Sequence, residues 1–178
     1  MTSEDLKLLV RTIPDFPKPG ILFRDVTTLI GHGSGFDAAV TMLADRVSAT
    51  GAQAVAGIEA RGFVFGGAVA ARLGLGFIPV RKPGKLPVPV LAIDYALEYG
   101  TDTLEVDPGA VGEGRPVALI DDLIATGGTA HAAVELLRRA GGVVTHAHFV
   151  VDLPDLGGAD RLREGGVKVD ALMDFPGH

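Results

Sequence analysis

The chain has no cysteine and no tryptophan, and only two tyrosines. Without thiols, disulfides, thiolate zinc sites and cysteine nucleophiles are excluded. Without tryptophan, the core must rest on Val, Leu, Ile, Phe and Ala. Positive charge is not in excess: 16 Lys and Arg stand against 22 Asp and Glu, for a net charge of −6. A general nucleic-acid binder carries a basic face, so that class is disfavoured, although local cations can still hold a small anion. No apolar run approaches the roughly 20 residues that a membrane helix needs. The opening MTSEDLKLLV is acidic and short in apolar residues, unlike a signal peptide. A cytoplasmic location is therefore expected, with neither membrane nor nucleic acid as a partner. The familiar phosphate loops are missing too. Gly84-Lys85 runs into Leu86, and Gly74-Leu75-Gly76 ends at Pro79.

What is present is ample material for a core. Apolar residues make up 47% of the 178, which argues against disorder and fits a single domain over 1–178. Ser3-Glu4-Asp5 reads as a helix start, with Leu6, Leu9, Val10 and Ile13 at helical spacing. Pro14, Pro17 and Pro19-Gly20 then force a loop, and residues 21–30 (ILFRDVTTLI) read as extended. Ser34 can cap a second helix with a stripe of Phe36, Val40, Leu43 and Val47. A rhythm follows: strands at 54–58, 76–80, 116–121, 143–152 and 167–175, separated by helices at 62–74, 131–142 and 157–166. Short apolar strands alternating with helices predict a parallel α/β sheet. Residues 81–89 (RKPGKLPVP) fit neither element, and 90–107 reads as a hairpin turning near Tyr99-Gly100.

The most informative stretch is ALIDDLIATGGTA, residues 118–130. An apolar strand ends in Asp121-Asp122, and a small loop, Ala125-Thr126-Gly127-Gly128-Thr129, leads into a helix. The glycines let backbone N–H groups turn toward one point, the helix start favours an anion, and the threonines add hydroxyl donors. Carboxylates cannot bind phosphate directly, but they accept hydrogen bonds from a sugar diol or from metal-bound water. Acids beside an anion cradle suit a ribose 5-phosphate. Each element alone is equally a solvated strand end or a glycine turn.

This stretch resembles the phosphoribosyl pyrophosphate (PRPP) motif of the type I phosphoribosyltransferases. Phe23-Arg24-Asp25, GIEARGFVFG at 57–66, RKPGKLP at 81–87, LEYGTDTLE at 97–105 and the terminal FPGH extend the resemblance from about Pro14 to His178. RKPGKLP together with LEYG is similar to the adenine-using members. The resemblance implies a parallel twisted sheet with helices on both faces, a small hood from about 1–30 and a flexible lid from about 81–107. It also implies a homodimer, Mg²⁺ as cofactor, and the reaction of adenine with PRPP to give AMP and pyrophosphate.

Site roles follow from the same resemblance. Asp121, Asp122 and Ala125 to Thr129 would hold the ribose and its 5-phosphate. Glu59, Ala60, Arg61, Arg81, Lys82 and Lys85 would meet pyrophosphate, with a cis peptide at Glu59–Ala60. Leu22, Phe23 and Arg24 would hold the purine, Phe23 by stacking. Glu98, with Arg61 and Lys85, would be catalytic, Glu98 managing the proton at purine N7. Mg²⁺ would be held mainly by substrate, with Asp121 or Asp122 reaching it through water. His131, His146 and His148 read as structural. A PRPP-sensing regulator and an enzyme for another purine are the alternatives. The segment Val106-Asp107-Pro108-Gly109 departs from the family pattern, where a basic or His-containing stretch is common.

Overall fold

The computed structural model describes residues 1–97 and 100–177. Five parallel strands form its central sheet: β3 (Ala54–Ile58), β4 (Gly76–Val80), β7 (Pro116–Ile124), β8 (Val143–Asp152) and β9 (Lys168–Asp174), in the order β4-β3-β7-β8-β9. Two antiparallel hairpins flank it, β1 (Arg11–Pro14) with β2 (Leu22–Asp25), and β5 (Leu91–Ala96) with β6 (Thr101–Val106). Helices α1 (Ser3–Lys7), α2 (Thr27–Ile30), α3 (Gly33–Ser48), α4 (Arg61–Leu73), α5 (Pro108–Val111), α6 (Gly128–Arg139) and α7 (Gly158–Glu164), with a 3₁₀ turn at Pro154–Leu156, complete the regular elements of the described residues.

Both faces of the sheet are covered, which is why its strands read as near-continuous apolar runs. Along β3 the side chains alternate: Val55 packs with Leu43, Phe65 and Val69 from α3 and α4, while Ala54, Ala56 and Ile58 pack on the other side. That second face is covered by Leu136 and Leu137 of α6, Leu162 of α7, and Ile93 and Leu104 of the β5–β6 hairpin. The chain leaves β3 toward β4 in one direction and leaves β7 toward β8 in the other. A crevice therefore opens between the loops after β3 and β7, where open α/β sheets bind ligands.

Several sequence expectations are corrected at element edges. The first helix stops at Lys7 rather than reaching Ile13, because residues 11–14 pair with β2, Arg11 opposite Asp25. The extended reading of 21–30 holds only to Asp25. There the Asp25 carboxylate accepts from Thr27 N at 2.9 Å and Thr27 Oγ1 at 2.6 Å, and the chain turns into α2. These bonds, with the Arg11 guanidinium, lower the Asp25 pKa to about 2. Ser34 does not cap α3; His32 does, its Nδ1 accepting from Gly35 N at 3.1 Å. Strand β7 runs on to Ile124 because Leu123 and Ile124 still pair with β8, so both acids lie inside the strand. Helix α6 starts at Gly128, within the glycine loop. The divergent segment ends β6 at Val106 and opens α5 at Pro108, capped by Asp107, whose Oδ1 accepts from Gly109 N at 2.8 Å. His148 is buried, with Nδ1 2.9 Å from Oδ2 of Asp170, whose other oxygen takes Arg46.

Candidate active site

The two loops at the crevice enclose a cavity of about 570 Å³. Asp121, Asp122 and residues 125–129 form one wall; Glu59, Ala60, Arg61 and Lys82 form another. Ala96 and Leu97 from the β5–β6 hairpin also border it. A second cavity of about 320 Å³ lies beside β2 and is lined by Phe16, Phe23, Arg24 and Asp25. Arg61 lines both cavities. It is the first residue of α4, and its Nε donates to Oδ2 of buried Asp122. Burial works to lower the Arg61 pKa, but Asp122, with Asp121 and Asp25 beyond it, raises it on balance. The guanidinium stays charged, with further donors for an anion.

The acid pair is not symmetric. Burial pushes the Asp121 carboxyl well above the usual carboxylate range, and the adjacent Asp122 pushes it the same way. Oδ1 of Asp121 accepts from Asp122 N at 2.9 Å. Among the described residues, no group of three side chains is arranged to hold a metal ion.

The loop 125–129 owes its path to a close backbone approach. Gly127 has φ +77°, a conformation that L side chains rarely adopt. A Cβ on Gly158, the first residue of α7, would lie 2.3 Å from Ala125 O and 2.6 Å from Gly127 N. The loop therefore rests directly on the α7 terminus, and its N–H groups open at the start of α6. Gly158 carries no chemistry of its own, so no motif singles it out.

The basic segment is anchored at its start. Glu59 Oε2 accepts from Lys82 N at 3.0 Å and from Arg81 Nε at 3.2 Å. These contacts, led by the Lys82 amide, hold the Glu59 carboxyl below its usual range. Glu59 thus carries the turn that follows β4, and an anion would meet the turn rather than the carboxylate. The Glu59–Ala60 peptide is cis, as the sequence resemblance implied. Arg81 and Glu105 exchange backbone hydrogen bonds, and Glu105 Oε2 accepts from Gly84 N. Neither Arg81 nor Lys85 lines the larger cavity; Lys85 is exposed, its carbonyl 3.3 Å from Arg81 Nη1.

In the second cavity, Phe23 meets Phe16 edge-on at 5.2 Å between ring centroids. The Arg24 guanidinium is turned away, bonding Thr12 and the Pro176 carbonyl and lying 4.6 Å from the Phe175 ring. Leu22, expected at the purine, is not among the residues that line this cavity. Glu98 lies outside the described residues. Sequence reasoning missed Phe16, Tyr95 and Asp102. Tyr95 had a signal, since Ile93 and Tyr95 alternate onto one face of a strand.

A family model of the phosphoribosyl transferase domain matches residues 30–166. The chain belongs to the phosphoribosyl transferase family. A curated relative from Novosphingobium aromaticivorans named adenine phosphoribosyltransferase is 70% identical over the full length of both chains. The crystal structure of adenine phosphoribosyltransferase from Thermoanaerobacter pseudethanolicus is 45% identical, with a TM-score of 0.92, covering 98% of this chain and 100% of that one. The Saccharomyces cerevisiae enzyme, solved with adenine and an imino-altritol bisphosphate, is 36% identical with a TM-score of 0.88, covering 96% and 97%. The five-stranded parallel sheet, with helices on both faces, is the architecture that this phosphoribosyl transferase shares with them.

Proposed function

We propose that the chain is a purine-salvage enzyme that transfers the 5-phosphoribosyl group from PRPP to adenine, giving AMP and pyrophosphate. One observation carries the reading: two cavities, one with an acid pair and an anion loop and one with aromatic walls, share Arg61. A donor sugar and a planar base placed in them would meet beside that guanidinium.

The 5-phosphate sits against the N–H groups of residues 127–129 at the start of α6, with Thr126 and Thr129 adding hydroxyls. Asp121 and Asp122 accept from the ribose diol. Arg61, Lys82, Arg81 and the turn begun by Glu59 and Ala60 take pyrophosphate, and Lys85 approaches as the lid within residues 81–107 closes over it. The bond to pyrophosphate breaks largely before the bond to N9 forms, through an oxocarbenium-like state. Charge on the departing pyrophosphate is met by preplaced cations, and holding both reactants in line removes several kcal/mol of barrier. Glu98 remains the proposed proton manager at N7.

Mg²⁺ fits this site as a passenger of PRPP, since Asp122 is already paired with Arg61 and the carboxylates are too few for an all-protein cage. Asp121 or Asp122 would hold it through water, and it would neutralise pyrophosphate charge. The reading includes a single domain and a cytoplasmic setting, expected from composition and from the lack of apolar runs, and a hood at β1–β2 and a homodimer, carried from the family resemblance.

Base choice follows from hydrogen-bond polarity. Adenine presents an amino donor at C6 and an acceptor at N1; hypoxanthine reverses both. A backbone edge at Leu22 and Arg24 that serves adenine leaves two mismatched pairs with hypoxanthine, each costing about 1–3 kcal/mol. Discrimination of about 10³-fold is expected. The test is a panel of free bases with PRPP and Mg²⁺, following pyrophosphate release. Adenine should react and the oxopurines should be nearly inert. Activity on an oxopurine alone would move the assignment to another base, and PRPP binding without any release would favour a sensor.

A further inference from the structure

Behind the cationic wall of the larger cavity lies a polar cluster that the reaction, as described, does not use. Tyr95 of β5 and Asp102 of β6 stand directly opposite each other in the hairpin register. Tyr95 Oη is 3.2 Å from Asp102 Oδ2. The Lys82 ammonium donates to that same carboxylate oxygen and to Tyr95 Oη, the latter at 3.3 Å. Tyr95 Oη also lies 3.5 Å from Thr129 Oγ1, in the anion loop. Lys82 and Thr129 line the cavity; Asp102 and Tyr95 do not.

We propose that Asp102 and Tyr95 are positioning residues, which act through Lys82 to set its ammonium against the anion loop. The inference deepens the reading of Lys82 as a pyrophosphate contact and rests on it. A lysine ammonium has three donors on a flexible stem. Two of them are fixed here by Asp102 and Tyr95, which leaves the third for an anion in the cavity. The Lys82 hydrogen bond holds the Asp102 carboxyl below its usual range, so both charges of the pair are present at neutral pH. An unanchored Lys82 would pay side-chain entropy each time it met a ligand. Because Tyr95 reaches Thr129 as well, one hairpin rung registers both the cation and the 5-phosphate loop.

The experiment is a double-mutant cycle read by calorimetric titration with PRPP and Mg²⁺, with steady-state kinetics in parallel. Asp102→Asn should weaken PRPP about tenfold, the scale of a lost charge-assisted hydrogen bond, while the KM for adenine stays within about twofold. Tyr95→Phe, which keeps the ring packing, should give a smaller loss of the same kind. In a Lys82→Ala background, Asp102→Asn should cost almost nothing more, because its partner is gone. Unchanged PRPP affinity in Asp102→Asn would overturn the proposal, and so would an equal loss with and without Lys82. A wild-type chain that binds PRPP but leaves adenine unreacted would sink the base assignment alone, since the cycle is read on PRPP. A wild-type chain that binds no PRPP would sink both.

Discussion

The Nε of Arg61 donates to Oδ2 of Asp122, which ties the loop after β3 to the strand that carries the acid pair. Asp122 is buried at 6% exposure, whereas the Arg61 side chain is half exposed. Asp122→Asn therefore leaves a guanidinium that water can still solvate, and stability should change by less than about 1 kcal/mol. Turnover should fall much further, about 10- to 100-fold in kcat/KM, because the variant loses a charge-assisted acceptor for the ribose and frees Arg61 from its register. Melting curves and kinetics measured on the same preparation check both halves. A stable variant with normal activity would remove the role.

Asp121 should behave in the opposite way in the free protein. Its folded pKa is raised above the unfolded value, first by burial and then by Asp122. Such a group contributes its stability at pH below the unfolded pKa and loses it as pH rises through the folded pKa. Ionising Asp121 in the folded chain thus carries a penalty that grows as pH rises. Asp121→Asn should raise the melting temperature near neutrality, by about 2–4 °C per kcal/mol relieved. The gain should shrink as pH falls through the raised folded pKa and vanish below the unfolded value, and PRPP turnover should drop. A variant that melts lower at neutral pH would contradict the repulsion.

Gly158 tests whether the anion loop is held by packing. An alanine Cβ there would sit 2.3 Å from Ala125 O and 2.6 Å from Gly127 N, both backbone atoms that cannot rotate away. Gly158→Ala should displace the loop, destabilise the chain by about 1–3 kcal/mol, and weaken PRPP binding, although Gly158 itself does not line the cavity. Calorimetry against PRPP, beside a melting curve, reads both effects. Wild-type affinity would mean that the loop path is set elsewhere.

How much of this was legible follows from where each signal resides. Strands 54–58, 76–80 and 143–152 agree residue for residue with the sequence reading; 54–58, buried along its whole length, is the contiguous apolar block that a strand covered on both faces leaves. The spacing of Leu6, Leu9, Val10 and Ile13 suits a helix equally well, and only pairing with a distant segment makes residues 11–14 a strand. The acid pair and the glycine loop were visible because their parts are contiguous. Tyr95 and Asp102 become neighbours only through the hairpin register, and Phe16 meets Phe23 only through the fold of residues 14–22.

The basic segment yields the last prediction. Its root is pinned: Glu59 takes the Lys82 amide, and Glu105 takes the Gly84 amide. Beyond Gly84, the Lys85 side chain is exposed and outside the cavity, although the proposed reaction needs its charge at pyrophosphate. Closure must then move Lys85 while the root stays still. Lys85→Ala should leave the melting curve of the free protein unchanged, since an exposed side chain is lost, and should lower turnover at least about tenfold. Trypsin offers a direct reading of the motion. The Lys82–Pro83 bond resists it, so cleavage should fall at Lys85–Leu86 in the free protein. PRPP with Mg²⁺ should suppress that cut if the segment closes over the ligand. Equal cleavage with and without PRPP would make residues 84–89 a static turn, and the burden of meeting pyrophosphate would fall on Arg61, Arg81 and Lys82 alone.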